Sequence, residues 1–427
     1  MDRILFFFRF FLIGFSSLYL LFLIANGMEK DFMPYNYILT LLINIYMILA
    51  SRKNLLLFLI LFVIGYSNYS FIYANYINHL SFTLYTQIIS PEVTVISVNV
   101  ITLFMCLMFL IIPVSHVPPL PNINVFIDEK NKDIRVCVIL LLLMTIVFFI
   151  GFDTPDIVGQ RGHVKPVYEY ALSFFIVYFY FSGNNKILVR IGIIYAILYA
   201  GQNFIYGGRI YGLQFVLATF FMIFMHRVSR RTIFISLGVG FALFSIIGAI
   251  RGSILYSDAS WVDILNNVAK NGFALDTAYS AYYTSESFVY ISDLYETSQK
   301  LEYFKNFIVS IFMGSTATQD SQLAFISHRH MHHSNGGIVP YFFYFYLGTW
   351  SLIFPVLLIK YYLTKIKNIT INDKGLIKCI VVFITAHSFR WYLYTPLGLL
   401  RGVLFLSIVY FGMYIVHNYR NKPYLSV

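Results

Sequence analysis

Charged residues are scarce in this chain. Asp, Glu, Lys and Arg make up 11% of its 427 residues, whereas soluble globular proteins carry about a quarter. Hydrophobic residues account for 59% and aromatic residues for 19%. This composition excludes a soluble globular protein and predicts an integral membrane protein that crosses the bilayer many times.

Cysteine is scarce as well. The sequence has three, Cys106, Cys137 and Cys379, and each lies inside or at the end of an apolar segment. An odd number of cysteines in such positions implies no disulfide framework. We expect all three to be buried as small apolar side chains.

The usual nucleotide-binding motifs are absent. The sequence contains no Walker A loop, no Gly-x-Gly-x-x-Gly loop and no Gly-x-Ser-x-Gly nucleophile turn. We therefore expect no cofactor and no chemistry driven by a cytoplasmic nucleotide. The formal net charge of +11 does not predict a nucleic-acid partner, because in a membrane protein the meaning of a cation depends on the side of the bilayer where it lies.

Apolar segments long enough to cross a bilayer, roughly 17 to 25 residues each, predict an all-α fold. About twelve such transmembrane helices are expected, at 4–24, 35–50, 55–73, 94–113, 136–152, 168–182, 187–205, 210–225, 232–250, 338–359, 377–395 and 397–416. Tyrosine and phenylalanine crowd the ends of these segments, which is typical of the aromatic belts at membrane interfaces.

Basic residues occur in alternate short loops, from Arg52-Lys53 to Lys365 and Lys367 and on to Arg420 and Lys422. Such loops are cytoplasmic by the positive-inside rule, so both termini are expected in the cytoplasm. The long polar stretch 251–337 then faces outward, into the periplasm. A structureless stretch of that length is usually functional. The predicted division is therefore helices in 1–250, a periplasmic loop in 251–337, and helices with a cytoplasmic tail in 338–427.

Arginines on the outer side break this pattern and need an anionic partner or water. They are Arg161, Arg209, Arg251, Arg329, Arg390 and Arg401, and four of these six adjoin a glycine. Ion pairing with acidic residues of the same side is one interpretation. The other is that Arg161, Arg209, Arg251, Arg390 and Arg401 bind a phosphate or pyrophosphate, which the planar guanidinium contacts through two hydrogen bonds.

Four histidines end the long polar stretch: His328, His330, His332 and His333. Their spacing is compatible with a metal site, with a base that titrates near neutral pH, or with a solvated loop. No cysteine joins them, and the acid-x-acid pair Glu29-Lys30-Asp31 lies in a very short loop. We therefore expect no metal. A base that takes a proton from a hydroxyl, with His333 or its neighbour His332 in that role, and a solvated loop both stay open.

The layout resembles the O-antigen polymerases. The most specific likeness is His333-Ser334-Asn335-Gly336-Gly337 running into Tyr341 through Tyr346-Leu347-Gly348, which is similar to the Gly-Gly entry into an aromatic helix in these polymerases. Gly207-Gly208-Arg209 is similar to their short Gly/Ser-Arg turn. The family's aromatic helix often carries an acidic residue where this chain has Tyr344 or Tyr346, which leaves the catalytic acid or base unassigned.

The resemblance implies a glycosyltransferase of the C-type superfamily in the bacterial inner membrane. It would transfer a growing glycan from an undecaprenyl pyrophosphate carrier to a new lipid-linked repeat unit, with Arg209 and a histidine as catalytic residues. Expected partners are this lipid-linked oligosaccharide, membrane lipid and a chain-length regulator protein. An O-antigen ligase and a flippase or other transporter of the lipid-linked oligosaccharide are the alternatives. A transporter would place ionisable residues near the bilayer midplane, whereas here they gather at the outer ends.

Overall fold

The structure is a computed structural model of the chain. It describes residues 2–72, 75, 89–114, 125–127, 129–154, 162–206, 208–229, 231–233, 235–236, 238–240, 260–262, 265–266, 276–314, 320–333, 336–370 and 372–419. Two predicted pyrophosphate ligands, Arg161 and Arg251, lie outside these residues, as does most of the predicted segment 232–250.

The described residues are predominantly helical, which confirms the predicted all-α class. The first half holds α1 (Asp2–Asn26), α2 (Met33–Ser51), α3 (Leu55–Ile72), α4 (Pro91–Ile111), α5 (Ile134–Ile150), α6 (Ala171–Phe181), α7 (Lys186–Ile205) and α8 (Arg209–Thr219). The second half holds α9 (Asp276–Ser292), α10 (Thr297–Met313), α11 (Leu323–His328), α12 (Val339–Leu347), α13 (Ile353–Lys367), α14 (Gly375–Ala386), α15 (Ser388–Leu393) and α16 (Pro396–Tyr419). Two short antiparallel strands pair Phe152 with Val164 and Asp153 with His163.

Five helices of the described part are long and apolar enough to cross a membrane: Ile4–Asn26, Met33–Ser51, Pro91–Ile111, Lys186–Ile205 and Pro396–Tyr419. They support the assignment to the membrane. Other predicted segments form shorter helices. The segment 338–359 bends at Gly348, where φ is +76°, into α12 and α13. The segment 377–395 consists of α14 and α15, which are separated at His387.

The chain forms two compact units that alternate along the sequence. Unit 1 comprises Met1–Leu120, Leu265–Lys367 and Ser388–Gly398, and unit 2 comprises Pro121–Ile264, Asn368–His387 and Leu399–Val427. The predicted division at 250 and 337 concerns the side of the membrane on which each segment lies, and it stays a prediction.

Polar side chains join the helices of unit 1. Asn36 donates to Asn99 at 2.6 Å, and Asn99 in turn donates to the carbonyls of Met28 and Lys30. Farther along α2, Thr40 bonds to Thr102 of α4 at 3.0 Å. Between helices in lipid the hydrophobic effect gives no attraction, so buried hydrogen bonds and close packing hold them together.

Aromatic packing dominates unit 2. Tyr199 of α7 stacks on Phe215 of α8 with ring centroids 4.6 Å apart, and its hydroxyl donates to the carbonyl of Met144 in α5 at 2.6 Å. At the start of α5, the buried Asp133 accepts from the backbone of Arg135 and lies 3.2 Å from Nδ1 of His417. These contacts connect α5, α7, α8 and the end of α16.

The long polar stretch is not structureless, because α9, α10 and α11 all lie within it. Helix α9 packs against α3, α4 and α12, and its residues 281–289 are all buried. Its small polar side chains bond to their own helix, as Ser285 does to the carbonyl of Ala281 at 2.7 Å. Sequence reasoning expected a loop here because hydroxyl residues reduce the apolar pattern of α9, but their local hydrogen bonds allow the helix to be buried.

Candidate functional site

His333 is buried and its two ring nitrogens lie near protein hydroxyls. Nε2 is 2.7 Å from the Ser327 hydroxyl of α11, and Nδ1 is 3.4 Å from the Thr284 hydroxyl of α9. The imidazole therefore joins α9 to α11. This geometry favours an anchoring role, because a base needs a ring nitrogen that faces its substrate.

The neighbouring histidines are exposed. The ring of His328 lies 5.6 Å from that of His332 and 5.1 Å from that of His333. His330 pairs with the hydroxyl of Tyr295, 2.8 Å from its Nε2. Within the described ranges, no three His, Cys, Asp or Glu side chains are grouped so that they could hold a metal ion. His328, His330 and His332 are all exposed, so an external hydroxyl can reach any of the three.

Gly336 and Gly337 bring the chain back onto α9 after the histidines. Gly337 has φ +155°, and a Cβ on it would lie 2.4 Å from the ring of Phe288 in α9. Its N–H donates to the carbonyl of Leu393 at 3.1 Å, while the N–H of Ile338 donates to the Ser285 hydroxyl at 2.7 Å. The motif that carries the family resemblance is thus held on α9 at both ends. Ser334 and Asn335, between those ends, lie outside the described residues.

Glu286 of α9 is a buried carboxyl with an exposed fraction of 4%. Among the described residues, its Oε1 atom has no hydrogen-bond partner. Burial raises the pKa of Glu286 from 4.5 to about 7, and the nearby hydroxyls of Tyr282 and Thr94 partly oppose the shift. The Tyr282 hydroxyl is close to the carboxylate but outside strict hydrogen-bond geometry. A carboxyl with this pKa can exchange a proton at neutral pH.

Tyrosines surround this carboxyl. Tyr282 stacks on Phe71 at 4.7 Å, and the Tyr341 hydroxyl donates to the carbonyl of Ser97 at 2.8 Å. Tyr37 of α2 is also near the carboxylate. The buried hydroxyls of Tyr282 and Tyr392 have no hydrogen-bond partner in the part of the chain that the structure describes. Glu286 and these tyrosines form a polar cluster within the apolar packing of unit 1, which we call the α9 acid cluster.

Sequence reasoning did not single out Glu286. It is one of the acidic residues predicted on the same side as the arginines, which could pair with them. A signal was present, because Tyr282 and Glu286 are four residues apart and share one face of a helix. That signal depended on recognising α9 as a helix, which its many hydroxyl residues obscured.

In unit 2, one predicted pyrophosphate ligand, Arg401, belongs to a group of contacts, and a second, Arg209, lies near that group in the sequence. Arg401 forms an ion pair with Glu169 at 3.4 Å, and the Tyr211 hydroxyl donates to the same carboxylate at 2.8 Å. Tyr211 lies two residues after Arg209, which begins α8. The helix N-terminus favours anions at this position, and the half-buried Arg209 lies there.

Two further arginines that are predicted to lie outside, Arg329 and Arg390, have contacts of their own within unit 1. Arg390, in unit 1, has its guanidinium 4.8 Å from the ring centroid of Tyr394, and Arg329 forms an ion pair with Asp320. Carboxylate pairing, the alternative interpretation of these cations, therefore holds for Arg329 and Arg401. Close packing explains the glycine at position 402, beside Arg401, because a Cβ there would lie 2.3 Å from the ring of Phe383 in α14.

Comparison with known proteins adds no relative. No family model, curated protein or solved structure matches the chain.

Proposed function

We propose that the chain is an integral membrane glycosyltransferase of the O-antigen polymerase type. It transfers a growing glycan from undecaprenyl pyrophosphate to the non-reducing end of a lipid-linked repeat unit, on the outer face of the inner membrane. The observation that carries the proposal is the α9 acid cluster, because a buried carboxyl beside the anchored histidine motif supplies the acid or base that the sequence left unassigned.

In this proposal Glu286 accepts the proton of the acceptor hydroxyl. The hydroxyl oxygen forms a bond to the anomeric carbon of the donor while the bond from that carbon to the pyrophosphate oxygen breaks. The pyrophosphate leaves with the electron pair, and the proton passes to the carboxylate. Burial of Glu286 requires that neighbouring side chains such as Tyr37 or Tyr341 move to admit the acceptor. His333 holds α9 against α11, and His332 is the second candidate base.

The leaving pyrophosphate gains negative charge in the transition state, and fixed cations stabilise it there. We propose Arg209 and Arg401 of unit 2 for this role, together with Arg161 and Arg251 of the same unit. For Arg390, which belongs to unit 1, a role in pyrophosphate binding stays a prediction from the sequence. Arg401 is paired with Glu169, so pyrophosphate binding would exchange this carboxylate for phosphate oxygens. Arginine suits this exchange because it keeps its charge and its planar geometry.

The proposed topology has about twelve transmembrane helices, both termini in the cytoplasm and α9, α10 and α11 on the periplasmic side. The alternating basic loops support this orientation. On that side the enzyme would meet lipid-linked repeat units and a chain-length regulator protein.

The deciding experiment is the lipopolysaccharide pattern of a strain that lacks this gene. A core that carries a single repeat unit supports the polymerase, whereas a bare core indicates a ligase or a flippase. Complementation with the wild-type gene must restore the ladder of long chains. Complementation with Glu286→Gln must leave the single unit, while Glu302→Gln, on the exposed face of α10, serves as the matched control.

A further inference from the structure

Asn203 is a buried amide near the end of α7. It has no exposed surface, and its Nδ2 atom donates to the hydroxyl of Tyr168 and to the carbonyl of Tyr199, each at 2.7 Å. Tyr199 lies one turn earlier in the same helix, whereas Tyr168 belongs to another segment of unit 2. The hydrogen bond to Tyr168 therefore joins α7 to that segment, and its loss would leave buried polar groups unpaired, which costs free energy.

Tyr168 lies in the short 3₁₀ helix Pro166–Tyr170. Its hydroxyl accepts from Asn203 and donates to Oε1 of Gln202 at 2.9 Å. Its ring is buried as well. The next residue is Glu169, so two neighbouring side chains of α7 hold the backbone beside this carboxylate in place.

The start of α8 contacts the same asparagine. The N–H of Gly208 donates to the main-chain carbonyl of Asn203 at 2.7 Å. A Cβ on Gly208 would lie 2.5 Å from Oδ1 of Asn203, so the side chain of Asn203 packs directly on the glycine. Arg209 follows as the first residue of α8. The main chain and the side chain of Asn203 thus both touch the residue that precedes this arginine.

Glu169 connects the 3₁₀ helix to two further elements of unit 2. It pairs with Arg401 at 3.4 Å, and it accepts from the hydroxyl of Tyr211, in the first turn of α8, at 2.8 Å. The rings of Tyr168 and Tyr211 meet edge to face with their centroids 6.4 Å apart. The carboxylate that Arg401 contacts and the backbone that leads into Arg209 are therefore both held by contacts with one buried amide or its direct partner.

We propose that Asn203 is a positioning residue of the pyrophosphate site. Its contacts with Tyr168 and with the turn before α8 fix the start of that helix relative to the Glu169 carboxylate, whose place on Arg401 the pyrophosphate would take. The inference rests on the proposed function, because it takes Arg209 and Arg401 as pyrophosphate ligands. Cations that are held in place beforehand stabilise a developing anion without a cost of reorganisation.

The test measures the binding of inorganic pyrophosphate to the purified full-length protein by isothermal titration calorimetry. Asn203→Leu replaces the amide with an apolar side chain of similar size, Tyr168→Phe removes only a hydroxyl, and a third variant carries both substitutions. Asn185→Ala is the matched control. The Asn185 side chain caps the opposite end of α7 by accepting from the N–H groups of Ile187 and Leu188, roughly 27 Å from Asn203 at the helical rise. The melting temperature of each variant is measured alongside.

We expect Asn203→Leu and Tyr168→Phe each to weaken pyrophosphate binding at least about fivefold. The double variant should bind no more weakly than the weaker of the two single variants, because both substitutions remove the same hydrogen bond. Asn185→Ala should lower the melting temperature, since it removes a helix cap. Its affinity for pyrophosphate should stay within about twofold of the wild-type value, because sites this far apart act independently.

Wild-type affinity in both single variants would overturn the inference, and so would additive losses in the double variant. If Asn185→Ala loses affinity in the same proportion to its melting temperature as Asn203→Leu does, stability alone controls binding, which also overturns it. Wild-type protein that binds no pyrophosphate would instead overturn the proposed pyrophosphate site, and this inference with it. If Asn203→Leu does not fold, Tyr168→Phe decides the outcome, because it removes a single oxygen atom.

Discussion

The N–H of Ile338 donates a 2.7 Å hydrogen bond to the hydroxyl of Ser285. This bond joins the start of α12 to the middle of α9, directly after the two glycines that turn the chain. It positions the histidine motif on the helix that carries Glu286. The first prediction follows from this junction.

Gly337→Ala should lower the stability of the protein. Its φ of +155° disfavours any residue with a side chain, and the new Cβ would lie 2.4 Å from Phe288. Together these effects cost on the order of 1 to 3 kcal/mol, so the apparent melting temperature and the yield of folded protein should fall. Gly14→Ala in α1 is the control, since no atom lies within 4 Å of its added Cβ. Equal melting temperatures for the two variants would contradict the tight junction.

Glu286→Gln should change how stability depends on pH. The folded protein raises the pKa of Glu286 from 4.5 to about 7, so between these values the folded state binds the proton more tightly than the unfolded state. Stability should therefore fall as the pH rises through this window, by on the order of 3 kcal/mol in total. The glutamine variant should lack that component and melt higher than wild type at pH 8, but not at pH 5. A melting difference that is constant between pH 5 and pH 8 would show that Glu286 titrates normally.

Arg209→Lys should abolish or strongly shorten the glycan while the protein still accumulates in the membrane. Lysine keeps the charge but loses the planar guanidinium, and loss of one such transition-state donor costs on the order of 100-fold or more in rate. Chain length on gels and protein level on immunoblots are the measurements. Arg190→Lys, at an exposed position of α7 in the same unit, is the control and should leave chain length unchanged. Full-length glycan from Arg209→Lys would remove this residue from the proposed pyrophosphate site.

The variants His333→Ala and His332→Ala should have different effects on the stability of the protein. Removal of His333 takes a hydrogen-bond partner from the buried Ser327 and Thr284 hydroxyls, which costs about 1 to 3 kcal/mol. His332 is exposed, so its loss should lower the melting temperature less than the loss of His333 does. Turnover and melting temperature are measured on both purified variants. If His333→Ala slows turnover at an unchanged melting temperature, His333 acts in the chemical step rather than as an anchor.

Topology reporters test the predicted orientation. A reporter that is active only outside the cytoplasm should work when fused at Gly272, in the long polar stretch. A reporter that is active only inside should work at Lys367, at the end of α13. The basic residues around Lys365 and Lys367 motivate this assignment. The opposite activity at either position would contradict the twelve-helix arrangement.

Apolar length was enough to locate most of the helices of the fold. The predicted segments 4–24, 35–50 and 397–416 coincide with α1, α2 and α16, because long apolar segments have few alternatives to a helix in a bilayer. The length of the apolar segments could not reveal that the helices are interrupted at Gly348 and His387, because apolar residues lie on both sides of each interruption. Nor could it show that α9 is buried, because its packing partners lie far away in the sequence.

The candidate site was predictable only in part. The charge pattern alone was enough to select the arginines that are predicted to lie outside, but the pairing of Arg401 with Glu169 joins residues 232 positions apart. His333 was recognised from its motif, whereas its burial between Ser327 and Thr284 depends on how α9 and α11 pack. Glu286 was missed because a single acidic residue in a polar stretch gives no sign of burial.

Asn99 has a consequence for how the protein is made. Its side chain donates to the carbonyls of Met28 and Lys30 and accepts from Asn36, so it completes the polar contacts of the turn between α1 and α2. It follows Met28 by 71 residues, and at the ribosome α4 therefore emerges several seconds after the first hairpin, at roughly 5 to 20 residues per second. Until then the hairpin enters the bilayer with those carbonyls unsatisfied by α4. The first four helices therefore assemble in the order in which they are synthesised, and α4 is the last of them to pack.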